Sequence, residues 1–167
     1  MIEKKRQNKK EKEEIKKKED DEETRKQREI NNKRYELLKG SIDKNFDVLK
    51  EELKEYNEFE YDVKYISTKL HPYGAVAFID YAHSKDEVTT IYVVNSDAEE
   101  EMIPMPNLKA GMKKEEAIKM LENAGFKVSV SEFDAVNGEI PGTLKYYQYS
   151  PGTLLPKGLE VNFSVNK

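Results

Sequence analysis

The sequence predicts an α+β protein built from a charged N-terminal helix or stalk, a helix with a three-stranded antiparallel β region, and a C-terminal module of one helix on a three-stranded antiparallel sheet. Three observations carry this reading. The first third of the chain is saturated with Lys, Arg, Glu and Asp. Apolar side chains then recur at spacings of three and four between Tyr35 and Tyr56, which is one face of a helix. From Tyr61 onward, short runs rich in Val, Ile and Tyr lie between Gly- and Pro-containing turns, the pattern of strands.

Residues 1–34 form a charged helical or disordered arm. Their apolar side chains are too sparse for a buried stripe, while pairs such as Glu14–Lys18 and Glu22–Lys26 fall four apart and support a solvated helix. Charged residues make up 37% of the 167-residue chain, against roughly 25% in an average globular protein. The excess is local to this arm, so the remainder has room for two modest cores and not for one large one.

Residues 35–96 read as an amphipathic helix followed by a β-meander. Tyr35, Leu38, Ile42, Phe46, Leu49, Leu53 and Tyr56 make the helical face, interrupted at Gly40-Ser41, where Ser41 is placed to cap a restarted helix. The face either packs on the following sheet, which is favoured, or joins a homo-oligomer through its heptad-like spacing. Strands are expected at Tyr61–Ser67, Ala75–Ala82 and Val88–Val94. The default reading is an unrelated meander capped by a helix. The alternative is a degenerate repeat of the C-terminal module, which shares the helix–strand–strand–strand order. An acidic linker, 97–102, follows.

The last module, 103–167, is the most specific stretch. Lys114–Ala124 is amphipathic and ends at Gly125, a residue suited to the left-handed conformation beyond a helix. Phe126, Val128 and Val130 alternate with Lys127, Ser129 and Ser131. Pro141-Gly142 turns into a second strand, Thr143–Tyr149, and Val161, Phe163 and Val165 alternate in a third.

These residues resemble the PASTA family, a repeat found outside the membrane in penicillin-binding proteins and bacterial serine/threonine kinases. The resemblance runs through Pro106-Asn107, Gly111-Met112, Glu115-Glu116-Ala117, Leu121, Ala124-Gly125 and Val128. It continues through Gly142-Thr143, Pro151-Gly152-Thr153, Lys157-Gly158 and the closing Val161–Val165 strand. The sequence departs from the family at Lys113, where Ser or Thr usually caps the helix, and at Tyr147-Gln148-Tyr149, in place of a Gln-Ser-Pro run. The resemblance implies a non-enzymatic module that binds peptidoglycan or a wall-associated protein.

Candidate ligand contacts are Tyr146, Tyr147 and Tyr149, at least one of which must face solvent, with Lys145 and Lys157 placed to meet carboxylates. The bland reading makes the tyrosines cover for a thin core and the lysines ordinary surface charges. His71 and His83 read as turn histidines, and no metal or cofactor is expected. No nucleophile elbow or phosphate-cradling glycine loop occurs. A net charge of −4 argues against nucleic acid, and the absence of cysteine excludes disulfides and thiolate sites. No export signal and no membrane span are read in the sequence as written. Two roles follow. In the first, a PASTA-like head recognises the wall from a helical stalk, outside a Gram-positive cell if an anchor precedes it. In the second, the chain is a structural assembly protein contacting neighbouring subunits, such as a bacteriophage virion component, in a virion or the cytoplasm.

Overall fold

A computed structural model of the protein describes residues 2–56, 59–82 and 86–167, with side chains from Ile15 onward. Helix α1, Ile2–Lys39, runs without a break through the expected boundary at residue 34. Side chains from residue 15 to 33 are exposed, consistent with the lack of an apolar stripe, and Glu22 and Lys26 pair at 2.9 Å. Among its described side chains, only those of the last turns, through Leu38, reach a core.

Ser41 does not cap the restarted helix. Its buried hydroxyl donates to the Leu38 carbonyl at 2.6 Å and closes α1 instead. Helix α2, Phe46–Leu53, begins after Asn45, whose side chain accepts from the Asp47 N–H at 2.9 Å. The expected apolar face is therefore divided between two helices. Leu38, Leu49 and Leu53 are buried in the chain's own first core, Phe46 and Tyr56 are half-buried against it, and Tyr35 and Ile42 remain exposed.

Strands β1 (Tyr61–Ile66), β2 (Val76–Asp80) and β3 (Thr89–Val94) make the first sheet, in the order β1-β3-β2. The short β4 (Met102–Pro104) follows, then helix α3 (Lys114–Ala124) and strands β5 (Lys127–Phe133), β6 (Leu144–Tyr147), β7 (Leu154–Pro156) and β8 (Glu160–Asn166). The second sheet has the order β5-β8-β6, and β4 pairs antiparallel with β7. The α+β class and the three-stranded sheets are as expected, but neither sheet is fully antiparallel. β1 runs parallel to β3, and β5 parallel to β8. In each unit the last strand enters the middle of the sheet, between two strands that run in opposite directions, so it runs along one neighbour and against the other.

The two units share more than this order. Phe46 N–H donates to Gly74 O at 2.8 Å, and Lys114 N–H, 68 positions on, donates to Gly142 O at 3.0 Å. Gly74 N–H reaches Val94 O as Gly142 N–H reaches Asn166 O, at 2.9 and 2.7 Å. Asp43 N–H and Gly111 N–H likewise donate to Val76 O and Leu144 O. Gly74 and Gly142 have φ of 74° and 77°, and Asp43 takes φ 67° where Gly111 has 83°. Both second strands carry a register irregularity two residues after this glycine, at Val76/Phe78 and Leu144/Tyr146.

Each helix covers one face of its sheet. Leu49 and Leu53 pack with Val76, Ile79 and Ile91 in the first unit, and Ala117 and Leu121 with Leu144, Val161 and Phe163 in the second. The linker is held between them. Ser67 N–H donates to Glu100 O at 2.7 Å and Lys157 N–H to Glu101 O at 2.8 Å, so residues 97–102 are not a free tether.

Candidate functional site

Because a strand alternates its side chains between faces, the residues not facing a helix form an open face on each sheet. In the second unit this face carries Ser129, Ser131, Asn162 and Tyr146. In the first it carries Lys64, Thr90, Tyr92 and Asp80. The two open faces bound one cleft of about 860 Å³. Beneath the first wall lies a small apolar cluster: Phe78 meets Tyr92 edge-on at 5.9 Å and Tyr149 edge-on at 6.1 Å, beside Ile66, Val94 and Met102.

Burial pushes the phenols of Tyr92 and Tyr149 up to about 12, and the Asp80 carboxylate adds to both shifts. Both rings therefore stay neutral at any physiological pH, as neutral phenols with a proton to donate. On the second wall, Asn162 Nδ2 donates to Ser129 Oγ at 3.1 Å and Ser131 Oγ at 3.3 Å. A hydroxyl that accepts a bond still has its own proton to give, so this wall offers hydroxyl donors. The Lys64 ammonium lies 5.9 Å from the Tyr92 ring centroid.

The candidate ligand contacts are separated by the structure. Tyr146 is 65% exposed and lines the cleft, and Tyr147 is half-buried and lines it too while packing on the second core. Tyr149 lies outside the cleft lining and packs edge-on against Phe78. Lys145 lies outside the cleft lining, bound to Glu139 at 2.9 Å, with its ammonium 5.8 Å from the Tyr146 ring centroid. The Val136 N–H and then Lys145 hold the Glu139 carboxyl below its ordinary range. Lys157 pairs with Glu101 at 3.3 Å and lies over Gly125. His71 sits in the turn before β2, where its Nδ1 is 2.6 Å from Asp43 Oδ1. His83 lies outside the described residues.

Sequence reasoning missed Ser129, Ser131, Asn162 and the whole first wall. The alternation in Phe126–Ser131 and Val161–Val165 does place small polar residues on one face, which is the available signal. That this face meets a second sheet is not encoded in any local pattern. Among the described residues there is no cluster of three or more His, Cys, Asp or Glu that could hold a metal, and no helix long and apolar enough to cross a membrane.

Residues 103–167 match the family model of the PASTA domain. No curated protein matches the chain. Among solved structures, the extracellular region of the Ser/Thr kinase PrkC from Staphylococcus aureus aligns at 17% identity and TM-score 0.37, over 76% of this chain and 45% of that one. The three-PASTA-domain structure of a Ser/Thr kinase from Staphylococcus aureus aligns at 16% identity and TM-score 0.36, over 76% of this chain and 63% of that one. The chain thus spans less than two thirds of either structure.

Proposed function

With residues 103–167 a PASTA domain, we propose that this chain is a non-catalytic wall-binding protein whose head recognises peptidoglycan or a wall-associated partner. The observation that carries the reading is the complete C-terminal module: its matched span includes the helix, all three strands and the exposed Tyr146. PASTA domains are binding modules, and the side chains gathered here suit recognition: a solvent-facing aromatic ring with hydroxyl and carboxamide groups beside it.

In this reading residues 41–95 are a degenerate second copy. The hydrogen bonds at matching positions, the two left-handed glycines and the identical strand order support a repeat. The sequence lost the entry motif, with Asp43 standing where the C-terminal unit has Gly111. Helix α1 serves as a spacer arm, the charge exposed along residues 15–33 keeping it solvated. Nothing in the comparisons favours the virion role.

Co-sedimentation of the full chain with purified Gram-positive sacculi tests the proposal. Saturable pelleting is the expected result. Pelleting no greater than that of a control protein overturns it.

A further inference from the structure

The cleft between the two open sheet faces has a composition of its own. Its volume of about 860 Å³ falls within the roughly 300–1,000 Å³ typical of ligand sites. We infer that it binds an uncharged glycan segment, two walls gripping one sugar chain, and that the sugar rather than the peptide of the wall polymer is what the head reads. This inference rests on the wall-binding reading above and deepens it.

Charge is the first argument. Among the described residues lining the cleft, Lys64 and Lys127 are cations, and Asp80, Glu87 and Glu160 bring three carboxylates. A peptide rich in carboxylates would meet more anionic than cationic groups there. The cations expected from sequence to meet such carboxylates, Lys145 and Lys157, lie outside the cleft lining and are paired with Glu139 and Glu101. A polyanion such as a nucleic acid is disfavoured on the same ground.

The second argument is the pairing of surfaces. A pyranose ring has a C–H face and a rim of hydroxyl and acetamido groups. Tyr146 supplies a flat exposed ring for the face. Ser129, Ser131 and Asn162, already tied together on the adjacent strands, supply donors and acceptors for the rim. Across the cleft Thr90 supplies a further hydroxyl, with the Lys64 stem beside it. Neither sheet alone encloses a ligand. Burial of most of a sugar requires both.

The test uses the full chain and a β-1,4-linked N-acetylglucosamine tetramer, which has neither peptide nor charge, followed by amide chemical-shift mapping. The expected result is saturable shifts on both walls, at Thr90 and neighbours in β3 and at Ser129, Ser131 and Asn162. Tyr146→Ala on one wall and Thr90→Arg on the other should each weaken binding at least about tenfold, with the spectrum otherwise unchanged. Should a variant lose its dispersed spectrum, shift mapping on the parent chain decides alone. Absence of binding, shifts confined to one unit, or shifts produced only by a free stem peptide would overturn the assignment. Sacculus binding that survives with a silent cleft refutes the cleft and leaves the wall reading intact. Loss of sacculus binding refutes the wall reading itself, whatever the tetramer does.

Discussion

Lys113 stands at the start of α3 with extended backbone angles, φ −67° and ψ 141°, and its side chain makes no capping hydrogen bond. An ammonium there also faces the positive end of the helix dipole. At the equivalent place in the first unit Asn45 does cap, through the Asp47 N–H. Lys113→Ser should therefore stabilise the chain by about 1 kcal/mol, read as a higher urea midpoint at unchanged slope; an unchanged midpoint would contradict it. The same scale carries a pH effect. Tyr92 and Tyr149 are pushed up to about 12 by burial, so their neutral form is favoured by folding. Their contribution is whole below the ordinary tyrosine value near 10 and is lost as pH rises from there toward 12. The urea midpoint should hold up to about pH 10 and fall between there and about pH 12, and the Tyr92→Phe/Tyr149→Phe double variant should show a smaller fall. An equal fall in both proteins would place the alkaline sensitivity elsewhere.

At the scale of the element, the same glycine opens the second strand of each unit. Gly74 and Gly142 adopt φ of 74° and 77°, and a Cβ at either would meet at most an ordinary contact. The cost of adding one is therefore conformational. Gly74→Ala and Gly142→Ala should each destabilise by roughly 1–2 kcal/mol, measured by urea unfolding, and a loss at only one site would argue against equivalent turns. Elements were legible in the sequence where periodicity spoke directly: Lys114–Ala124 is the observed α3, and the six main strands fall within a residue or two of their expected spans. The pairing was not legible. A run such as Val161–Val165 shows which side chains share a face and says nothing about which neighbour lies on either side. The Gly40-Ser41 break was visible, yet Ser41 closes one helix and Asn45 opens the next, because capping depends on a backbone geometry that both residue types accommodate.

For the whole molecule, the C-terminal half of the site could be read in outline and the other half could not. Tyr146 was marked by its place on a short strand, and it lines the cleft. Lys64, Thr90 and Tyr92 reach the cleft through the arrangement of the two units, whose linker is pinned to both through Ser67 and Lys157, and no local pattern encodes that. The apolar side chains of the Tyr35–Tyr56 stretch followed a similar course: Leu38, Leu49 and Leu53 are taken by the first core, which leaves the charged length of α1 as the arm. That arm could itself cling to a charged wall, so binding by the head has to be separated from binding by charge.

Pelleting of the full chain on Gram-positive sacculi at about 0.15 M and again at about 1 M salt makes that separation, because the screening length falls from about 8 Å to about 3 Å. Recognition by the head predicts saturable pelleting that persists at the higher salt. Pelleting that vanishes at the higher salt would contradict it.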